Sequence, residues 1–202
     1  MLLFAAPIGV QGASAPNGNQ GGKILVLGDS ISAGYGLENP DQGWVGLLDK
    51  KIKSLGKPWE TVNASISGET SAGGLSRIDA LLQSTKPGIL VLELGANDGL
   101  RALQPSQMKT NLNEIIIRAK KSGAKIVLLG MRIPPNYGNR YNELFEAVFP
   151  ELATLQHVAY VPFLLEGVGG NKQMMQPDGL HPNTEAQPVL MRLVWEKLEP
   201  LL

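Results

Sequence analysis

The sequence predicts an α/β fold, a three-layer α/β/α sandwich around a parallel sheet of five strands. Two observations carry this reading. Short apolar runs alternate with stretches of helical spacing, which implies parallel pairing through right-handed crossovers. The runs also lack polar alternation, as in Ile24-Leu-Val-Leu27, so both faces of the sheet must be covered. At 202 residues, with no internal repeat and no second composition regime after residue 23, the chain reads as one domain with room for a substantial core.

The apolar, β-branched runs lie at residues 23–27, 60–64, 89–94, 125–129 and 158–163. After the first comes an apolar stripe through Trp44, Val45, Leu48, Ile52 and Leu55, and after the second a stripe through Leu75, Ile78, Leu81 and Leu82. Met108, Leu112, Ile115, Ile116 and Ala119 follow the third run; Tyr141, Leu144, Phe145, Val148 and Leu152 follow the fourth, where Pro150 is expected to break or kink the helix. A last stripe runs from about Val189 to Leu198 through Leu190, Leu193 and Val194; because Pro188 removes an N–H from any helix begun near Asn183, either a kink or a helix starting near Gln187 is expected.

Residues 1–22 carry no charge. Leu2 to Val10 is apolar but too short to span a bilayer, and it is followed by Ala13-Ser-Ala15. This reads as the apolar core and cleavage site of a secretory signal peptide, residues 1–15, although Leu2 stands where a basic segment is usual. Residues 16–22 then form a linker, residues 23–202 form the domain, and the implied destination is periplasmic or secreted.

Composition removes several function classes. Lysine plus arginine and aspartate plus glutamate balance at 18 each, leaving no electrostatic footprint for nucleic acid or an anionic membrane surface. With no cysteine, disulfides, thiolate metal sites and cysteine nucleophiles are excluded. Two histidines and no tight carboxylate cluster make a metal site unexpected. Neither a Gly-x-Gly-x-x-Gly nor a P-loop pattern is present. The oligomeric state is unconstrained.

In an open parallel sheet the segments after the strands gather on one rim, where ligands bind. Ser30 follows the first strand directly in Gly28-Asp-Ser30 and is placed like a nucleophile. It does not meet the Gly-x-Ser-x-Gly elbow, because Ser32 stands at the last glycine position. A serine nucleophile needs a base and a group that orients the base. His157, between a helix and the fifth strand, falls at the wrong end for the rim and reads as a solvated residue at a helix C-terminus. His181 follows Asp178 by three residues in a stretch punctuated by Pro177, Gly179 and Pro182. One turn can put that carboxylate on Nδ1 and leave Nε2 facing Ser30; an Asx-type turn carrying a structural histidine fits the same residues. Donors for an oxyanion are offered by the Ser30 N–H, by Gly68 after the second strand and by Asn97 after the third, though Gly68 and Asn97 separately read as turn residues. Asp29 and Asp98 read as turn anchors.

Taken in order, Gly28-Asp-Ser30, Gly68, Gly95-x-Asn97 and Asp178-x-x-His181 resemble the blocks of the SGNH (GDSL) hydrolase superfamily, over essentially the whole chain from Lys23. The wording Gly-Asp-Ser-Ile-Ser-Ala-Gly-Tyr-Gly, Asn-Ala-Ser-Ile-Ser-Gly-Glu-Thr, Glu-Leu-Gly-Ala-Asn-Asp-Gly-Leu-Arg and Asp-Gly-Leu-His-Pro-Asn is most similar to the periplasmic thioesterase/lysophospholipase (arylesterase) subgroup. The resemblance implies a flavodoxin-like sandwich. It implies Ser30 as nucleophile, His181 as base, Asp178 as its orienter, and Ser30, Gly68 and Asn97 as the oxyanion hole. It also implies hydrolysis of acyl esters, thioesters or lysophospholipids through an acyl-enzyme, with no metal or cofactor. Residues 99–105 would form a mobile loop beside the acyl chain, with Gly99, Leu100, Leu103, Ile133 and Pro134 as the acyl-binding surface. A carbohydrate acetylesterase and a catalytically dead acyl- or lipid-binding module are the alternatives.

Overall fold

The computed structural model describes residues 21–202. The expected signal segment and most of the linker lie outside the described residues.

Five parallel strands, β1 (Gly22–Gly28), β2 (Trp59–Asn63), β3 (Ile89–Glu93), β4 (Lys125–Leu129) and β5 (Ala159–Val161), form one sheet in the order β2-β1-β3-β4-β5. Ile24 to Leu27, Ile89 to Leu92 and Val127 to Leu129 are all fully buried, as unalternating apolar runs require. The edge strand β2, with Trp59, Glu60 and Thr61, remains half-exposed. The fifth strand is shorter than the apolar run suggested: it stops at Val161, before Pro162, which has no N–H to give to the ladder.

The two helical layers follow from the same crossovers. Helices α3 (Ser71–Thr85), α5 (Pro105–Lys121) and α6 (Asn139–Gln156) pack side by side on one face, and α2 (Trp44–Ser54) and α7 (Gln187–Leu198) pack together on the other. Two single-turn helices, α1 (Ser30–Ala33) and α4 (Ala96–Leu100), start at the C-terminal ends of β1 and β3. Helix ends carry the expected chemistry. The Thr70 hydroxyl accepts from the Gly73 N–H at 3.3 Å, capping α3, and Pro105 opens α5.

Of the break or kink expected at Pro150, the break is corrected, since α6 runs continuously through it. Buried Phe145, Val148, Phe149, Leu152 and Ala153 lie on both sides of the proline and hold the helix on the sheet despite the missing backbone bond. Pro188 falls in the first turn of α7, which begins at Gln187 as expected, so its missing N–H costs nothing there.

The chain leaves β1 for β2 on one side and then returns to β3 on the other. The crevice at this reversal, between the C-terminal ends of β1 and β3, is where open α/β sheets bind ligands. Ser30 sits at one lip of it and Asn97 at the other.

Candidate active site

Ser30 is the first residue of α1, immediately beyond Asp29. The Asp29 carboxylate caps the helix by accepting from the Ile31 N–H at 3.0 Å. The strand-to-helix turn leaves the Ser30 side chain half-exposed at the rim, 2.9 Å from His181 Nε2. On the far side of the ring, His181 Nδ1 lies 2.7 Å from Asp178 Oδ2. Asp178 Oδ1 meanwhile accepts from the Leu180 N–H at 2.9 Å and the His181 N–H at 3.0 Å. The two readings that the sequence left open are therefore both present: one carboxylate oxygen makes the Asx turn, and the other meets the imidazole. Although desolvation pushes the Asp178 carboxyl up, the hydrogen bonds from His181 and Leu180 outweigh it and hold the group down at about 2. Asp178 is therefore an anion at neutral pH.

The histidine loop is fastened to the rest of the rim by residues the motif reading did not single out. Gln176 donates from Nε2 to the Tyr35 carbonyl at 2.8 Å and the Pro182 carbonyl at 3.1 Å, tying the loop to the turn after α1. The Tyr35 ring packs on the His181 ring with centroids 4.6 Å apart. Buried Gln187 accepts from the Trp44 N–H at 2.9 Å and donates to the Asn183 carbonyl at 3.0 Å, joining the start of α2 to the base of the loop. No spacing rule announces these residues, because each acts across long sequence separations.

Gly68 lies in the turn between β2 and α3. That turn is anchored by the Ile66 N–H on the Gly28 carbonyl at 3.0 Å and by Arg101 Nη2 on the Gly68 carbonyl at 2.9 Å. Its φ of +79° favours glycine, and its N–H carries no hydrogen bond among the described residues. Asn97 stands in the first turn of α4 and donates one amide hydrogen to Asp29 Oδ2 at 3.0 Å, leaving the second for a ligand. His157 caps the C-terminus of α6, exposed and away from the rim, as its sequence position indicated. Asp98 is a turn anchor of unusual thoroughness, accepting from both the N–H and the hydroxyl of Ser71, at 2.8 and 2.6 Å.

Beside Ser30 and His181 opens a cavity of about 220 Å³, walled by Ile31, Leu100, Met131, Ile133, Leu165 and Leu180. Pro134 and Arg132 line it as well. Of the expected acyl-binding residues, Leu100, Ile133 and Pro134 are therefore in place. Gly99 and Leu103 are not in the lining. Gly99 packs behind the wall against Ile133 and Phe145, and Leu103 points its carbonyl at the Tyr141 hydroxyl, 2.6 Å away. The expected loop over residues 99–105 is also shorter than supposed, since Gly99 and Leu100 belong to α4 and Pro105 opens α5.

Asp29 is almost fully buried, and desolvation raises its carboxyl to about 6 despite the bonds from Ile31 and Asn97. An unfolded aspartate titrates near 3.8, so between these values the folded chain binds a proton that the unfolded chain has released. This group's contribution to stability therefore falls as pH rises from about 4 to about 6. The unfolding free energy of the native protein relative to Asp29→Asn is expected to drop by about 2 kcal/mol between pH 4 and pH 7. Urea denaturation at the two pH values measures it, and the variant's pH-independent changes cancel in the difference.

A hydroxyl, an imidazole and an ionised carboxylate in hydrogen-bonded series, beside donor groups and an apolar cavity, can deprotonate the hydroxyl and deliver it to a carbonyl carbon. Known proteins place this rim in context. The chain is 53% identical over 179 residues to Esterase TesA of Pseudomonas aeruginosa, covering 89% of each chain. It is 44% identical over 179 residues to Thioesterase 1/protease 1/lysophospholipase L1 of Escherichia coli, covering 89% of this chain and 84% of that one. A crystal structure of the psychrotrophic esterase EstA from Pseudoalteromonas sp., inhibited by monoethylphosphonate, superposes with a TM-score of 0.84 at 39% identity, covering 89% of this chain and 97% of that one. The model of the GDSL-like Lipase/Acylhydrolase family matches residues 26–187, from the middle of β1 to the first residue of α7, and so takes in every segment of the rim: the chain belongs to that family.

Proposed function

We propose that the protein is a serine carboxylic ester hydrolase that works through an acyl-enzyme on acyl esters, thioesters and lysophospholipids. The observation that carries this reading is the unbroken series Ser30 Oγ, His181 Nε2, His181 Nδ1, Asp178 Oδ2, with separations of 2.9 and 2.7 Å across the ring. With its proton on Nδ1 directed at Asp178, the imidazole accepts the Ser30 proton at Nε2 as the hydroxyl oxygen attacks the substrate carbonyl. The tetrahedral oxyanion is held by the N–H groups of Ser30 and Gly68 and by the Asn97 amide. Collapse expels the alcohol or thiol, which takes the proton from Nε2, and the acyl group remains on Ser30. Water then attacks the acyl-enzyme with the same base, releasing the carboxylic acid.

The relatives named as esterase and as thioesterase and lysophospholipase support this range of leaving groups, and the apolar cavity beside Ser30 suits an acyl chain. An exported destination is supported by the apolar Leu2 to Val10 segment followed by Ala13-Ser-Ala15.

The test is covalent. A fluorophosphonate should label Ser30, with the modified peptide identified by mass spectrometry, and should abolish turnover of aryl esters and acyl thioesters together. Turnover that survives stoichiometric labelling, or labelling at another residue, overturns the assignment. Asn97→Ala is expected to lower kcat by about a hundredfold with KM little changed, because the donor acts where charge develops. Steady-state kinetics on one aryl ester checks it.

A further inference from the structure

One fully buried acid belongs to neither the Ser30–His181–Asp178 series nor the oxyanion donors. Glu93 ends β3, is 0% exposed, and stands opposite Gly28 in the register of β1 against β3. Its Oε2 accepts from the Asp29 N–H at 3.1 Å and from the Ser32 hydroxyl at 2.6 Å, while Oε1 has no hydrogen-bond partner among the described residues. The glycine makes this possible: a Cβ on Gly28 would lie 2.7 Å from Glu93 Oε2 and 2.7 Å from Ser32 Oγ. Gly28, Ser32 and Glu93 thus form one unit directly beneath the turn that presents Ser30.

We propose that Glu93 is a positioning residue for the hydrolysis: from beneath the turn it fixes Asp29, and through Asp29 it fixes the side-chain amide of Asn97. The inference rests on the roles given above to Ser30 and Asn97. The link is continuous. Glu93 Oε2 holds the Asp29 N–H, and Asp29 Oδ2 holds Asn97 Nδ2 at 3.0 Å. A purely structural role would be better served by another apolar side chain. Ile89 to Leu92 fill the same strand without polar atoms, whereas a buried acid with an unpartnered oxygen costs stability. That cost is placed under the nucleophile, where a misaligned donor matters most.

Burial, and then the neighbouring Asp29, push Glu93 well above the usual carboxylate range, while Asp29 ionises above about 6. The charged or titratable groups facing the pair are each other and His181 across the cavity. Glutamine is the close isostere: its amide oxygen can accept from the Asp29 N–H and the Ser32 hydroxyl as Oε2 does, and its amide nitrogen takes the place of Oε1.

The experiment compares Glu93→Gln, Glu93→Ala and Glu93→Leu on an aryl ester, alone and combined with Asn97→Ala, with folding checked by circular dichroism. Glu93→Gln is expected to keep kcat and KM each within about threefold of the native values. Glu93→Ala is expected to lower kcat tenfold to a hundredfold at nearly constant KM, a share of the roughly hundredfold value of an oxyanion donor. In the Asn97→Ala background the same change is expected to cost no more than about threefold. Glu93→Leu, which fills the space without the hydrogen bonds, replaces alanine if the alanine variant does not fold. The proposal is overturned if glutamine is as damaging as alanine or leucine, if the apolar variants retain full kcat, or if their effect multiplies fully with that of Asn97→Ala. Failure of the hydrolase reading itself would show separately, as turnover surviving in Ser30→Ala or an Asn97→Ala protein with native kcat.

Discussion

Ser30→Ala is expected to lower kcat by about a millionfold, the cost of removing a nucleophile that acts as one unit with its base. The substitution deletes one oxygen atom from a half-exposed residue, and it keeps the N–H that opens α1 beside the Asp29 cap. Circular dichroism and the urea midpoint should therefore stay at native values. What remains is the hydrogen-bonding pocket acting without a nucleophile, worth about a thousandfold to ten-thousandfold over water. The fluorophosphonate should leave the variant unlabelled. Native turnover by Ser30→Ala would reassign the chemistry to another residue, and Ser32 is no substitute, because its hydroxyl is buried and committed to Glu93.

The largest expected loss of stability follows Phe145→Ala. Phe145 is fully buried in α6, its ring set edge-on to Phe149 with centroids 5.6 Å apart. Its far edge touches Gly99: a Cβ there would come within 2.8 Å of Phe145 Cε2. Truncation removes the transfer energy of the ring, leaves a cavity and breaks an aromatic pair, for a total of about 4 kcal/mol. A urea titration should show a lower midpoint at unchanged slope. Because Gly99 and Ile133 lie between this ring and the cavity beside Ser30, the KM for long acyl esters should rise more than that for acetyl esters. An unchanged midpoint would mean that α6 and α5 close over the gap.

The sheet was legible in the sequence because β1, β3 and β4 each centre on an apolar run of four residues, short enough to favour a strand over a buried helix and alternating with longer stretches of helical spacing. The short fifth strand was not, since Pro162 and Phe163 read as apolar continuation while the ladder had already ended. Pro150 misled for a related reason: its local cost is real, but it is outweighed by the burial of the residues around it, which only tertiary structure reveals. At the rim, Ser30, His181 and Asp178 could be found because each follows a punctuated segment and belongs to a short chemical pattern. The glutamines that hold them could not. Gln176 and Gln187 act on carbonyls and an N–H far away in sequence, and an isolated glutamine carries no periodic signal. Glu93 had a signal that went unused: a charged residue at the end of a strand otherwise built for full burial.

The fastening of the histidine loop by Gln176 and Gln187 bears on how the protein is made. Ser30 and His181 are separated by 151 positions, and the ribosome delivers the serine long before the imidazole. Until α7 docks and Gln187 reaches Trp44, the nascent chain holds a hydroxyl no more reactive than any other serine. On the proposed roles of Ser30 and His181, ester turnover in a translation mixture is expected to begin only once the segment carrying His181 has been synthesised and has joined the rim.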